Sequence, residues 1–355
     1  MNTVLVTGGA GYIGSFGAQA LLRAGYRVVI YDNLSQGHRE AADRLAVQHG
    51  VEAASTTPHV NAPVHFVHGD IRDTRHLQDA LEQHRVSVVM HFAASLLVGE
   101  SVKDPIGYYD NNVLGALSVL RAMVGASVSR FILSSTCATF GEPRIVPIAE
   151  DHPQHPINTY GETKLAIERA LPHFERAYGL RSVILRYFNA SGADPDGVLG
   201  EDHQPEQHLI PRAIDAALGG EALAVFGDDY PTPDGTCLRD YIHVIDLADA
   251  HLRALQRLEQ GGASADYNLG TGVPQSVRAI LTSVERVVGR PVPHVIGARR
   301  PGDPAVLYAE SGKARRELGW NPQFADLDRI VDTAWEWRRR YPKGYESVSP
   351  TATPA

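Results

Sequence analysis

"VTGGAGYIG", residues 6–14, decides how the rest of the chain is read. The apolar run "TVLVTG" (3–8) leads into it, and the amphipathic stretch "SFGAQALLRAG" (15–25) leads out, so the glycines mark a strand-to-helix turn. Gly8, Gly11 and Gly14 recur at every third position, and Gly9 opens a G-x-G-x-x-G. Glycines there permit a tight turn and let backbone approach a diphosphate closely. The helix that follows, with Tyr12 and Ile13 in its first turn, offers free N–H groups and the positive end of its dipole. A glycine cluster alone is a weak signal; its strand–turn–helix setting gives it weight.

The same rhythm continues outward. "RVVIYD" (27–32), "VHFVHGD" (64–70), "VSVVMHFAA" (86–94), "RFILSST" (130–136) and "SVILRYFN" (182–189) read as buried strands, with amphipathic stretches such as "LGALSVLRAMVGA" (114–126) between them. Strands alternating with helices predict an α/β, doubly wound parallel sheet of the Rossmann type. Such a sheet binds ligands at the carboxyl ends of its strands. After residue 189 the composition shifts to Gly, Pro and Asp, as in "GADPDGVLGEDHQPEQH" (192–208) and "GDDYPTPDGT" (227–236), which predicts a smaller α/β substrate-binding domain. The expected division is 1–188 for the dinucleotide domain, with 239–270 returning to it, 189–345 for the second domain and 346–355 as a loose tail. "EAASTTPHVNAP" (52–63) reads as a surface loop.

Bulk composition narrows the function classes. The 355 residues are 43% apolar and 21% charged, enough for a sizeable core, and the net charge of −8 argues against nucleic acid as the main partner. Two cysteines, Cys137 and Cys237, imply no disulfide framework. No run of eighteen apolar residues occurs, so no membrane partner is expected. "MNTVLVTGG" enters the first strand at once and leaves no room for a leader, so a cytoplasmic location is expected.

The strand ends carry the chemistry. Asp32 lies eighteen residues after Gly14, where a carboxylate can accept hydrogen bonds from both ribose hydroxyls of an adenosine and repel a 2′-phosphate. Asn33 and Leu34 follow it rather than an arginine, which favours NAD over NADP. "GDI" (69–71) places Asp70 for the adenine amino group and Ile71 against the ring. "HFAA" (91–94) places Phe92, Ala93 and Ala94 along the pyrophosphate and nicotinamide ribose, with His91 read as a core histidine.

"TYGETK" (159–164) sets Tyr160 and Lys164 at i, i+4, one helix face, just after the strand that ends in Ser134, Ser135 and Thr136. Many helices carry such a pair without using it. Beside a dinucleotide the pair has a purpose. A phenol has a reference pKa of about 10, so a working base near 7 needs roughly 4 kcal/mol of help. An ammonium about 5 Å away at an effective dielectric near 20 supplies about 3 kcal/mol. The positive ring of oxidised NAD supplies the rest, so Tyr160 can act as a base, with Thr136 holding the substrate hydroxyl in line. Cys137 reads as small packing. The histidines look scattered without ligand spacing, so no metal is expected.

These motifs, together with "VGESVKDPIGYYDNNV" (98–113), "SSTCATFGEP" (134–143), "LRYFNASGADPDGVLGED" (185–202), "FGDDYPTPDGTCLRDYIHV" (226–244) and "YNLGTG" (267–272), resemble the extended short-chain dehydrogenase/reductase superfamily and, more closely, its UDP-glucose 4-epimerase (UDP-galactose 4-epimerase) family. The likeness runs over nearly the whole chain. It implies an isomerase of galactose metabolism with NAD as a bound prosthetic group. Tyr160 would take the 4-hydroxyl proton of a UDP-sugar, and the 4-keto sugar would turn over before hydride returns to its other face. It also implies Asn111 on the nicotinamide side and Asn189 at the substrate phosphates. Arg239 and Arg300 would clamp the pyrophosphate, Phe226 and Leu209 would line the nucleotide pocket, and Asp303 would join them. A homodimer packed through two helices per subunit is implied as well, one of them the Tyr160 helix.

Three positions depart from the family pattern. Leu96 stands where many members have a lysine that reaches the cofactor, Thr136 stands for serine, and Leu307 has intermediate bulk at a position that governs access of N-acetylated sugars. The last implies preference for UDP-glucose and UDP-galactose over the N-acetyl pair. A 4-epimerase of UDP-pentoses or UDP-N-acetylhexosamines has identical chemistry and remains an alternative. A 4,6-dehydratase would need an Asp-Glu pair where Cys137 and Ala138 stand. A non-catalytic NAD-binding module would have little use for both Tyr160 and Lys164.

Overall fold

β1 (Thr3–Thr7) buries all five of its side chains. That follows from a strand with helices over both faces. The computed structural model describes residues 2–51, 62–300 and 303–347; the expected loop at 52–63, apart from its last two residues, and the tail from 348 on lie outside them. From β1 the chain runs through α1 (Tyr12–Arg23), β2 (Arg27–Asp32), α2 (Arg39–Gln48), β3 (Val64–His68), α3 (Thr74–Gln83), β4 (Val86–His91), the helix Gly115–Gly125, β5 (Arg130–Thr136), the helix Thr159–Tyr178 and β6 (Arg181–Tyr187).

These six strands and Ala265–Leu269 form a seven-stranded sheet in the order Ala265–Leu269, β6, β5, β4, β1, β2, β3. The β1–β2, β2–β3, β1–β4 and β4–β5 pairings are parallel. The order reverses between β2 and β4 on either side of β1, and ligands bind at such a switch point. Leu5, Val29, Val89, Phe131 and Leu133 from the sheet pack with Leu77, Leu81, Val119, Leu120 and Leu171 from its helices as one core. Local signals fix the helix ends. Asp73 caps α3 by accepting from the His76 N–H at 3.0 Å, and Asn158 caps the Thr159–Tyr178 helix by accepting from the Gly161 N–H at 2.9 Å. The latter helix stops at Gly179, whose φ of +68° suits glycine.

The chain divides into two compact units. The first holds the residues up to Gly141, Pro153–Arg186 and Ala248–Tyr267; the second holds Glu142–His152, Tyr187–Leu247 and the chain from Asn268 on. The returning stretch is thus Ala248–Tyr267 rather than 239–270, and Glu142–His152 groups with the second unit. In this region Leu238–Arg239 and Tyr241–His243 are short strands, and the helix that follows spans Val244–Glu259. The second unit has its own core, in which Ile210 and Ile214, Ile280 and Val284, and Ile330 and Val331 come from three helices. No helix among the described residues is long and apolar enough to cross a membrane.

Candidate active site

The glycine turn is built by exclusion. A Cβ on Gly14 would lie 2.1 Å from the Gly8 carbonyl oxygen, and one on Gly8, at φ +69°, would lie 2.6 Å from the Ala93 nitrogen. The β1–α1 turn therefore lies directly on the backbone leaving β4, where the Phe92 and Ala93 N–H groups donate to Thr7 O at 3.0 and 3.1 Å. No side chain caps α1, which begins at Tyr12 and Ile13 after Gly11. Its first N–H groups and dipole are thus available to a phosphate. Asp32, at the end of β2, accepts from the Ala10 N–H at 3.0 Å and the Leu34 N–H at 2.8 Å. Burial raises its pKa, and those N–H groups pull the other way. An uncapped helix start, a turn with no room for side chains and a carboxylate at the end of β2 fit a dinucleotide.

The other expected cofactor contacts are ordered by the protein itself. Asn33 donates to Asp70 Oδ2 at 3.2 Å, and Arg72 pairs with the same carboxylate at 2.6 Å. That guanidinium holds the Asp70 carboxyl well below the usual carboxylate range. Ile71, expected on the adenine ring, is 5% exposed and packs into the core against Gly115. The Phe92 ring lies over Gly17 and 4.6 Å from the His251 ring, which leaves Ala93 and Ala94 as the small residues beside the turn. His91 is fully buried, 2.7 Å through Nδ1 from Thr7 Oγ1, and burial, helped by Lys164, pushes its pKa down to about 3.

Lys164 is 2% exposed, and its Nζ donates to Ser134 O at 3.0 Å. The ammonium is therefore held at the carboxyl end of β5. Burial lowers its pKa to about 8 while Glu168 pulls it up, so it keeps its proton at neutral pH. Tyr160 starts the same helix, one turn earlier, and its N–H donates to Ser101 Oγ at 3.2 Å. Thr136 closes β5 in an extended conformation, and its Oγ1 accepts from the Ala138 N–H at 3.1 Å. A hydroxyl, a phenol and a buried ammonium on these elements can move a proton to and from a substrate alcohol.

Sequence reading missed the residue that ties this region together. Asn111 donates to Ser95 Oγ at 3.2 Å, but its neighbour Asn112 is the buried one. Asn112 Oδ1 accepts from the Ser95 N–H at 2.8 Å, and its Nδ2 donates to Ser95 O and to Thr163 Oγ1, each at 3.0 Å. It lies in a π-helical turn, Tyr109–Leu114, a form found often at functional sites. The doubled Asn in "DNNV" was the signal available. Leu96, the family departure, is 36% exposed.

In the second unit Arg239 is ion-paired with Asp303, and Arg300 stacks over the Phe226 ring at 3.9 Å. Asn189 donates to Asp240 O at 3.1 Å, which sets it next to Arg239. Asp240, which the sequence did not single out, is fully buried and accepts from Thr271, Gly272 and Ala309 at 2.7–3.2 Å. It fixes the strand that carries Arg239. Leu307 pairs in register with Arg239. Leu209 opens the helix Leu209–Ala217 and packs against the unit's core.

One expectation needs correcting. The histidines are not all scattered: His203 and His208 meet Glu201 and Glu206, with donor atoms all within 4.8 Å of one another. The four residues lie on an irregular stretch, so no helical or hairpin spacing announces them. Burial opposes charge on both imidazoles, but the carboxylates prevail, raising His203 to about 9 and His208 to about 10.

Residues 4–270 match the model of the NAD dependent epimerase/dehydratase family. The chain is 50% identical over 344 residues to UDP-glucose 4-epimerase of Rhizobium meliloti, covering 97% of this chain and 99% of that protein. Among solved structures it is similar to UDP-glucose 4-epimerase from Brucella ovis in complex with NAD, at 50% identity and a TM-score of 0.87, covering 95% of this chain and 98% of that one. It is also similar to UDP-glucose 4-epimerase from Bifidobacterium longum in complex with NAD+ and UDP, at 38% identity and a TM-score of 0.89, covering 97% and 100%.

Proposed function

The chain belongs to the NAD dependent epimerase/dehydratase family, and from that premise we propose that it interconverts UDP-galactose and UDP-glucose with a resident NAD. The observation that carries this reading is the buried Lys164 ammonium, fixed at the carboxyl end of β5 one helical turn after Tyr160. When bound, NAD would supply reversible hydride acceptance from sugar C4.

The chain's own residues do the rest. The glycine turn and the start of α1 hold the cofactor's diphosphate, and Asp32 holds the adenosine ribose. Asn33, Asp70 and Ile71 border the adenine, and Ala93, Ala94 and Asn111 border the nicotinamide side. Thr136 aligns the sugar 4-hydroxyl and Tyr160 takes its proton. Lys164 makes that transfer possible by favouring the phenolate and by bonding the nicotinamide ribose. In the second unit Arg239 and Arg300 bind the UDP diphosphate in forked geometry, with Asp303 orienting the Arg239 fork. Asn189 supports the phosphates, and Phe226 and Leu209 line the uridine. The 4-keto sugar turns within the site, presents its other face and takes its proton back from Tyr160. No net oxidation occurs.

Hexoses rather than N-acetylated hexosamines are the preferred sugars, because Leu307 stands in register with Arg239 and brings intermediate bulk beside the diphosphate clamp. Cys137 and Ala138 after Thr136 offer no acid of the kind a dehydratase needs. The chain works as a homodimer in this reading. Val102, Ile106 and Leu114, each more than half exposed on the stretch that packs against the Tyr160 helix, support such a face.

Purified protein given UDP-galactose without added NAD, with the products separated, tests the function. UDP-glucose is the expected product. A keto-deoxy sugar, or unchanged substrate in protein shown to carry NAD, would overturn the reading.

A further inference from the structure

The cluster on the segment before the helix Leu209–Ala217 has no part in that chemistry. Glu201 Oε1 lies 2.5 Å from His208 Nδ1 and 3.3 Å from His203 Nδ1. Glu206 Oε2 lies 3.6 Å from His203 Nδ1, and Glu206 Oε1 lies 3.5 Å from His208 Nδ1. A zinc ion bound at about 2.0–2.1 Å by four donors sets its ligand atoms about 3.3 Å apart. With Glu206 Oε2 as its donor, three of the donor spacings, 2.5, 3.3 and 3.6 Å, thus already lie around a tetrahedral edge. From these residues and this spacing we propose that Glu201, His203, Glu206 and His208 bind one structural zinc ion.

The donor chemistry selects the ion. Two imidazoles disfavour Ca2+ and Mg2+, which want oxygen throughout, whereas two nitrogens and two carboxylate oxygens suit Zn2+ and leave no net charge at the site. All four positions are filled by protein, as in a structural centre and unlike a catalytic one. The carboxylates are held for the task. Glu206 Oε1 accepts from the N–H groups of Gln207 and His208, each at 2.8 Å, which turns Oε2 toward His203.

The segment itself is anchored at its start. Trp337 Nε1 donates to Glu201 O at 3.0 Å, the Tyr345 N–H donates to Asp202 Oδ2 at 2.8 Å, and the Gly200 N–H donates to Tyr345 Oη at 3.2 Å. A cavity of about 480 Å³, lined in part by Glu201, His203 and Glu206, gives an ion a way in. The helix that follows starts at Leu209, with His208 at its N-cap making no side-chain cap bond. A metal held there would fix the entry to that helix, a mechanical role separate from proton transfer at Tyr160. The competing account is a metal-free ion-pair cluster of the same four side chains.

The test uses the full chain, stripped with a chelator and dialysed. Zinc uptake is measured by elemental analysis and by competition with a chromogenic chelator, and Co2+ is used as a spectroscopic substitute. The proposal expects about one zinc per chain, visible ligand-field absorption from bound Co2+, and a melting temperature that rises with zinc. The double variant His203→Gln/His208→Gln is expected to lose all three, as is Glu201→Gln/Glu206→Gln. His173→Gln, at an exposed site on another helix, keeps them. NAD content and circular dichroism of each variant report separately on folding. If the stripped wild type takes up no stoichiometric zinc, or if the double variants bind it as tightly as wild type, the ion-pair account stands and the proposal falls.

Discussion

Arg186 on β6 grips Glu168 through both carboxylate oxygens, with Nη2 2.8 Å from Oε2 and Nε 3.1 Å from Oε1, and both side chains are almost fully buried. Glu168 lies one turn beyond Lys164 and two beyond Tyr160 on a shared helix face. Ser135 donates to the same carboxylate at 2.5 Å, and Arg186 reaches on to Asp266 at 2.7 Å. This network sets the register of the Tyr160 helix against β5 and β6.

Breaking that grip from one side leaves a charge buried without its partner. Glu168→Ala is expected to destabilise the chain by about 3–5 kcal/mol. Replacing both partners with apolar residues, Glu168→Leu with Arg186→Met, is expected to recover most of the loss. Urea unfolding of the three proteins checks this; a single-variant loss below about 1 kcal/mol would contradict it.

Lys164→Met separates function from stability. Turnover of UDP-galactose is expected to fall at least about a hundredfold, while the cofactor-stripped variant unfolds at higher urea than wild type. The sign follows from linkage. The Lys164 pKa drops from its ordinary 10.5 to about 8 on folding, so the unfolded chain binds more protons between those values. The penalty is fully present below about pH 8 and fades as the pH rises toward 10.5. The shift is worth about 3 kcal/mol, of which the lost hydrogen bond to Ser134 returns about 1. The stability gap between variant and wild type should therefore narrow from pH 7 to pH 10.

Tyr160→Phe removes the proposed base and leaves the ring. A loss of about 10²–10⁴ in kcat is expected, with NAD still bound and KM for the UDP-sugar little changed. Wild-type turnover in this variant would refute the proton-transfer role.

Asn112→Ala removes four hydrogen bonds at a side chain that is 1% exposed. A destabilisation of about 2–4 kcal/mol is expected, with hydrogen exchange at Ser95 and Thr163 speeding up together. Asn111→Ala should cost clearly less.

In the proposed function Leu307 sets the sugar preference. Catalytic efficiency on UDP-glucose and UDP-galactose is expected to exceed that on the N-acetyl pair by about ten- to a hundredfold, and Leu307→Ala should narrow the gap. Equal efficiencies in the unaltered protein would reject the preference.

Much of this was legible because the relevant signals are local. Apolar runs located β1 to β6 to within three residues at each end, since a strand covered on both faces must be apolar throughout. The glycine turn announced itself because a Cβ at Gly14 has nowhere to go. The Tyr160–Lys164 spacing survives in sequence because a helix repeats. What escaped depends on contacts made across the chain. Glu168 and Arg186 are distant in sequence, Asp240 gathers donors from Thr271 to Ala309, and Asn112 works through a π-helical turn that no periodicity marks. The four donors at 201–208 follow no repeating element.

In the proposed function Asp32 has two duties, since it would hold the adenosine ribose and it also ties Ala10 and Leu34 through their N–H groups. Recoding the protein for a phosphorylated dinucleotide by exchanging this residue for a small or basic one would remove the repulsion and, in the same stroke, untie the loop that cradles the diphosphate. Any such redesign must first provide new acceptors for those two backbone donors, or the altered preference will come with a slackened grip on either coenzyme.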